Sequence, residues 1–409
     1  MMKRINELKR IMILGAGTYQ VPLIKTARRM GLYTIVVSIP GDYLGFSLAD
    51  KVYYLDTRDR EGILKAAREE KIDGICTSGT DVAVSSIGYV CEQMGLTGIP
   101  LKAAETVTDK ALMKEAFLAG GVAAAKGVRA YTLEEARQAA EKLGYPVVVK
   151  RVDSSGSRGI SVVRKPSKIE EAFLHAKDRS SRDYVLVEEY LKGVEIGVDG
   201  FVQDGKLVFL AAHDKFIYQG DNITVPVGHA FPYRCSKAVE EEIARQMQRA
   251  VTATEINCCS VNADVFVDGG NVYIIEIGGR TGATCIPELI SICYGFDFYE
   301  KMIRSALGEK VDFSCEGKTP CMAKLLMSPL EGTLTGVNFE GIETICREEA
   351  QVALDYPVGH HVYAMTDGTD RIGHVIMEAE KEEELDRIIR KVRKYIAIDH
   401  RTLEEIWNG

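Results

Sequence analysis

The stretch Ser260–Ala283, SVNADVFVDGGNVYIIEIGGRTGA, sets two apolar runs on either side of Asp268-Gly269-Gly270-Asn271, and its two acids decide how the rest of the chain is read. β-Branched and aromatic residues bounded by a Gly/Asn/Asp cluster predict an antiparallel hairpin. A three-residue closure over Gly269-Gly270-Asn271, with one left-handed residue, puts Asp264 opposite Glu276 and Asn262 opposite Gly278. Two carboxylates about 5 Å apart on paired strands repel, and burying them costs several kcal/mol unless a cation lies between. Magnesium, held by one or two carboxylates plus phosphate oxygens, answers that need. The alternative is a register slipped by one, with Asp264 in solvent. Arg280, four residues past Glu276, is a planar fork suited to a carboxylate or an acyl phosphate. On this reading Glu276→Gln relieves repulsion and leaves the metal-free protein as stable as before or slightly more so.

Upstream, VVVKRVDSSGSRGISVV (Val147–Val163) joins two β-branched runs through Ser154, Ser155, Gly156, Ser157, Arg158 and Gly159. That loop is longer than a strand reversal requires, and its free N–H groups suit a phosphate chain covered from above. Lys150, at the end of the first run, can reach the same phosphates; a mobile surface hairpin with a solubilising lysine is the bland alternative. Lys110 opens a helix expected over 109–119, with Leu112, Met113, Ala116 and Phe117 as its apolar face. A cation in a first turn opposes the helix dipole, which points to an anion nearby or to a solvated lysine. In VLVEEYLKGVEIGVDGFV (Val185–Val202) a linker containing Glu188, Glu189, Tyr190 and Leu191 leads to Glu195. Glu188, Leu191 and Glu195 fit the donor and acceptor needs of an adenine and a ribose. Singly, such glutamates are usually a wet strand face.

The first hundred residues alternate strand and helix signals: 10–14, 33–37, 52–55 and 74–76 as strands, with helices between and after them. That is the mark of a parallel sheet with crossover helices. Gly15-x-Gly17 suggests a dinucleotide fold, but Gln20 stands at the third glycine position and Ser38 ends the second strand where an acid is needed. The last third is expected to mix short strands with one charged amphipathic helix over 381–395, its buried stripe being Ile388, Ile389 and Val392.

With 409 residues, 46% hydrophobic, the chain can build several domains, and a net charge of -8 argues against general nucleic-acid binding. No apolar run reaches the ~18 residues of a membrane span, so a cytoplasmic protein is expected. The ten cysteines form no C-x-x-C pair and read as buried thiols in a reducing compartment, with Cys258, Cys259 and Cys285 the ones to watch for reactivity.

Taken in order, these features resemble the ATP-grasp superfamily of carboxylate–amine ligases, whose pattern biotin carboxylase and carbamoyl phosphate synthetase share. The resemblance covers essentially the whole chain: an N-terminal α/β region, a lysine entering a helix, a lysine before a Ser/Gly hairpin loop, a Glu-x-Tyr-Leu hinge, a glutamate seven residues on, and acids twelve apart followed by arginine. It implies an α/β and α+β ATP-grasp fold, with a parallel-sheet domain over 1–108, a linker helix and lid subdomain over 109–190, a catalytic core over 191–318 and a C-terminal subdomain over 319–409. It further implies that Lys110 and Lys150 contact ATP phosphates, Ser154 to Gly159 form the lid, Glu188 and Leu191 hold adenine, Glu195 holds ribose, and Asp264 and Glu276 bind magnesium, with manganese as an alternative ion. Glu189 and Tyr190 belong to the same nucleotide hinge.

One departure stands out: the family has Asn two residues after the second metal acid, where this chain has Gly278. Asn262, opposite it in the predicted register, is the candidate substitute. Arg280 and Lys215 form the expected catalytic group, and His213, Lys215, His229 and Arg234, in an irregular stretch before the hairpin, are acceptor-pocket candidates. Each of these also has an ordinary structural or surface reading. Segment 359–373 is most similar to single-unit L-amino acid ligases. The expected activity is ATP-dependent activation of a small carboxylate and its coupling to an amine, with no nucleic-acid or membrane partner and with a homodimer as the expected assembly. The alternatives are a formate- or bicarbonate-using ligase of the purine or carboxylase type and a non-catalytic ATP-binding regulator. A kinase is set aside because no His-Arg-Asp or Asp-Phe-Gly segment is present.

Overall fold

A computed structural model describes residues 8–153, 159–178, 180–219 and 224–408. Met1–Leu210, Cys235–Thr281 and Glu300–Asp312 form one compact unit, and Ala211–Arg234, Gly282–Tyr299 and Phe313–Gly409 form a second.

The first unit opens with a parallel sheet ordered Lys51–Tyr54, Tyr33–Ser38, Arg10–Leu14, Gly74–Cys76. Ile11, Met12, Ile13 and Leu14 are wholly buried, as a central parallel strand covered on both faces requires. Gln20 accounts for the glycines before it. Its Oε1 accepts from Gly17 N at 3.0 Å, its Nε2 donates to Ser78 O at 2.6 Å, and a Cβ at Gly15 would lie 2.8 Å from its carboxamide.

A second sheet in this unit runs Gly127–Ala130, Val185–Glu189, Val147–Lys150, Ile160–Val163, all antiparallel. Its core gathers Val147, Val149, Val185 and Val187 from the strands with alanines of helix Leu133–Leu143 and Phe173 of helix Ile169–Lys177. The third element is an antiparallel array of Asn271–Gly278, Cys259–Asp268 and Val194–Gln203.

The predicted hairpin forms, but it closes differently. Asp268 pairs with Asn271, so the turn holds only Gly269 and Gly270, both left-handed at φ +54° and +94°. Val265 then pairs with Ile274 while Asp264 still pairs with Glu276, because Ile275 is an extra residue in a bulge. A shorter turn and one bulge give the same partners at the acids as the longer turn would.

Helix Lys110–Ala119 buries Ala111, Met113, Lys114 and Phe117, so its inward face is turned from the expected stripe and includes a lysine. In the second unit, His213, Lys215 and His229 lie not in an irregular stretch but on the long antiparallel strands Lys206–Gln219 and Thr224–Phe231, with Lys215 opposite His229, while Arg234 follows the second strand in irregular backbone. Thr224–Phe231 pairs in turn with Cys321–Leu326, then Gly373–Glu378, then Gln351–Leu354. The C-terminal part has three helices rather than one, Phe339–Glu348, Glu382–Arg393 and Leu403–Asn408. Leu385, Ile388, Ile389 and Val392 of the middle helix meet Leu334, Ile396 and Leu403 in the core of this unit.

Candidate functional site

Helix Lys110–Ala119 begins where Asp109 caps it, its Oδ1 accepting from Ala111 N and Leu112 N at 3.0 and 3.2 Å. Tyr184 donates to the other oxygen at 2.5 Å, and Lys110 N donates to Val152 O at 3.0 Å, which fixes the first turn against the strand-loop-strand hairpin. From there Lys110 Nζ reaches Glu276 Oε2 at 2.7 Å. Burial pulls the Lys110 ammonium down, but the carboxylates of Glu276, Asp81 and Asp264 outweigh it and hold its pKa above the usual lysine value. The two acids expected to face each other are paired, and an ammonium sits against one of them.

One turn on, Lys114 projects from the same helix side, as spacing of four requires. Its Nζ lies 2.9 Å from Glu188 Oε1, a charge contact without hydrogen-bond alignment, and Lys150 Nζ lies 2.5 Å from Glu188 Oε2. The side chains of Lys114 and Glu188 are 3% and 2% exposed, so this is a buried carboxylate between two ammonium groups. Burial pushes the Glu188 carboxyl up, yet Lys150 and Lys114 together bring it below the ordinary range. Lys114 is shifted down by burial, which Glu188 only partly offsets.

The other expected nucleotide residues are spread along the same segments. Glu189 accepts from Lys126 N at 2.9 Å and lies 3.2 Å from Lys126 Nζ, the Tyr190 ring lies under the Arg164 guanidinium, and Leu191 is half-buried. Glu195 is half-buried opposite Phe266 on the neighbouring strand. Gly159, left-handed at φ +71°, accepts from Arg151 N at 2.8 Å and closes the neck of the hairpin. Ser154, Ser155, Gly156 and Ser157 lie outside the described residues.

Arg280 is already paired. Its Nε and Nη2 donate to the two oxygens of Asp81 at 2.8 Å each, and its Nη1 donates to Asn262 Oδ1 at 2.9 Å and Thr281 O at 3.1 Å. Asn262, the candidate for the missing metal contact, also donates through Nδ2 to Asp199 at 2.8 Å. Among the described residues no three His, Cys, Asp or Glu side chains are grouped to hold an ion alone. Asp264 and Glu276 are paired across the hairpin with the Lys110 ammonium against Glu276, and one or two carboxylates completed by phosphate oxygens is a donor set that suits magnesium.

In the second unit His213 and His229 are buried, their rings 4.7 Å apart edge to face, with His213 stacked on Phe231. Burial, then His213 and Lys215, hold the His229 pKa well below the usual imidazole value. Lys215 lines a groove of about 590 Å³ with Phe216, Tyr218, Lys324 and Trp407, and Arg234 is exposed beside Glu380. Cys285 is buried and its thiol is pushed well up by burial, as is that of Cys259, so neither is an activated nucleophile.

Two residues escaped the sequence reading. Lys114 carried a signal, its spacing of four from Lys110. Asp81 carried none, because only the folding of the loop after Gly74–Cys76 brings it to Arg280.

The strand-loop-strand hairpin with an inward lysine, the buried acid beside it and the carboxylate pair on a second hairpin are arranged in the order expected of a nucleotide-dependent ligase. The ATP-grasp domain model matches residues 143–288, and L-amino acid ligase C-terminal domain 2 matches residues 324–401. These matches place an ATP-grasp domain in this chain, the domain of ADP-forming carboxylate–amine ligases, followed by a domain of the L-amino acid ligase type. It is similar to the carbamoyl phosphate synthase large chain of Clostridium acetobutylicum, 23% identical over 308 residues, matching 70% of this chain but only 28% of that protein's length. Among solved structures, phosphoribosylglycinamide synthetase from Anaerococcus prevotii superimposes with a TM-score of 0.80 at 27% identity over 96% of this chain and 99% of that one. L-amino acid ligase from Bacillus licheniformis gives a TM-score of 0.78 at 18% identity, with the same coverage. No helix among the described residues is long and apolar enough to cross a membrane.

Proposed function

We propose that this chain is an ATP-dependent ligase that activates a small carboxylate, an amino acid, as its acyl phosphate and couples it to an amine, releasing ADP and phosphate. The observation that carries this reading is the Asp264–Glu276 pair, in register on one hairpin with Lys110 seated against it. The amino-acid assignment rests on the match of residues 324–401 to the L-amino acid ligase C-terminal domain.

In this reading Asp264 and Glu276 hold magnesium, which when bound supplies positive charge to the phosphates and to the transferring phosphoryl group. Lys110 and Lys150 add ammonium charge on the phosphate side, and Glu188 fixes where Lys150 points. Ser154 to Gly159 cover the phosphates, while the hinge backbone at Leu191 and the Glu195 carboxylate take the base and ribose. No protein nucleophile is required, since the substrate carboxylate itself attacks phosphorus and the amine then displaces phosphate.

A purine-type ligase is the second reading, favoured by the 27% identity to the phosphoribosylglycinamide synthetase structure. ADP and phosphate release is measured across pools of amino acids and, separately, small acids and glycinamide precursors, with hydroxylamine present to trap acyl phosphate. Hydroxamate from an amino-acid pool supports the first reading. Turnover confined to the other pools supports the second, and no turnover with any pool despite nucleotide binding leaves the regulator.

A further inference from the structure

The hairpin lacks a side chain at 278 where the family pattern has one, and the space is filled from elsewhere. A Cβ built on Gly278 would lie 3.1 Å from Asp81 Oδ1 and 3.8 Å from Arg280 Cζ and Nε. The first distance is tighter than ordinary contact, so a larger side chain at 278 and the observed Asp81 carboxylate compete for one volume.

Asp81 lies in the loop between strand Gly74–Cys76 and helix Val84–Met94, and its own carbonyl accepts from Val84 N at 3.0 Å. Its carboxylate meets Arg280 fork to fork. With Asn262 and the Thr281 carbonyl on Nη1, four of the five guanidinium N–H groups are engaged. Behind this pair, Asp199 is fully buried and accepts from Asn262 Nδ2 and, at 3.3 Å, from Thr281 Oγ1. Gly79 N donates to Thr281 O at 3.3 Å, a second tie between the Asp81 loop and the segment bearing Arg280.

We propose that Asp81 is the positioning residue for Arg280: it supplies from the N-terminal α/β region the polar group that position 278 lacks, and glycine at 278 is what admits it. Arg280 then faces a substrate with one N–H and its charge, not with an open two-pronged clamp. The role given to Arg280 in turnover rests on the ligase reading; the pairing of Asp81 with Gly278 does not.

The test is a cycle of four proteins, wild type, Asp81→Ala, Gly278→Asn and Asp81→Ala/Gly278→Asn, with Asp81→Asn as a conservative variant that keeps the volume and one acceptor. Two readouts are taken: the Arg280 Nε–H resonance of ¹⁵N-arginine-labelled protein, identified by its loss in Arg280→Lys, and hydroxamate formation from pooled amino acids. A charged two-pronged bond is lost in Asp81→Ala, so the resonance broadens or exchanges away and hydroxamate formation falls about tenfold or more. Gly278→Asn displaces Asp81 and acts in the same direction. In the double variant the introduced asparagine side chain has room to accept from Arg280, and both readouts recover to within about threefold of wild type. Asp81→Asn falls between. An unchanged Nε–H resonance in Asp81→Ala, or a double variant worse than either single one, overturns the proposal. If the wild type forms no hydroxamate from amino acids the amino-acid ligase reading fails, while the resonance cycle still decides whether Asp81 holds Arg280.

Discussion

Lys110 Nζ stands 2.7 Å from Glu276 Oε2, so the acid expected to suffer repulsion from Asp264 is in fact half of an ion pair. This reverses one expectation drawn from the sequence. Lys110 is only 13% exposed, and Glu276→Gln takes away its charged partner. The metal-free protein should lose about 1–3 kcal/mol of stability in urea unfolding, the range for a charged hydrogen bond. Lys110→Met combined with Glu276→Gln should recover most of that loss, because no unpaired ammonium is left behind. Both variants should lose the thermal shift that ATP gives only with magnesium. A single Glu276→Gln variant that is more stable than wild type would mean that carboxylate repulsion dominates after all.

Glu188 presents two lysines with unequal roles. Lys150 is at 2.5 Å, whereas Lys114 is buried, misaligned and shifted down by desolvation. Removing Glu188 as Glu188→Ala leaves two buried ammonium groups without their acid and should cost about 3–5 kcal/mol. Lys114→Met keeps the packing and the Lys150 pair, so it should change stability by less than about 1 kcal/mol in either direction. Equal losses in the two variants would show that Lys114 is needed to hold the carboxylate charged.

What the sequence made legible was periodic or local. Apolar and β-branched runs located the four strands of the N-terminal sheet, the two flanking the Ser/Gly loop and the two of the acid-bearing hairpin, and the i, i+12 spacing of Asp264 and Glu276 found their pairing. The turn was misread because a two-residue Gly-Gly turn plus a bulge at Ile275 and a three-residue turn without one give identical partners at the acids. The strand bearing His213 and Lys215 looked irregular because it carries Asp214, Lys215 and Gln219 among its apolar residues, and pairing with Thr224–Phe231, not propensity, sets that conformation. Asp81 was illegible because its contact with Arg280 spans 199 positions and no pattern in either segment requires the other.

The two-residue closure has its own test. Gly269 and Gly270 both have positive φ, and a Cβ at either would meet nothing within 4 Å, so any penalty there is backbone strain alone. Gly270→Ala should cost about 1 kcal/mol or slightly more, while Gly269→Asn, the side chain best suited to the first place of such a turn, should be close to neutral. Equal tolerance of alanine at both positions would argue for a longer, looser closure.

His374 gives the protein a pH dependence whose sign is fixed by burial. It lies on strand Gly373–Glu378 with Nδ1 enclosed and unbonded, and desolvation, followed by the nearby Arg371 guanidinium, lowers its pKa from 6.5 to about 3. The folded protein keeps this imidazole neutral where the unfolded chain binds a proton. Between about 6.5 and about 3 the unfolded state therefore holds more protons, and stability falls as pH falls. Above about 6.5 neither state is protonated at this site and its contribution is at its fullest. The slope is at most about 1.4 kcal/mol per pH unit. Melting temperatures taken at half-unit steps from pH 7.5 to about 4.5 should drop more steeply for wild type than for His374→Gln, which cannot take up a proton, with the two curves parallel above pH 7. Parallel curves over the whole range would mean that His374 is solvated enough to titrate normally in the folded protein, and the enclosed strand position would then not be what sets its charge.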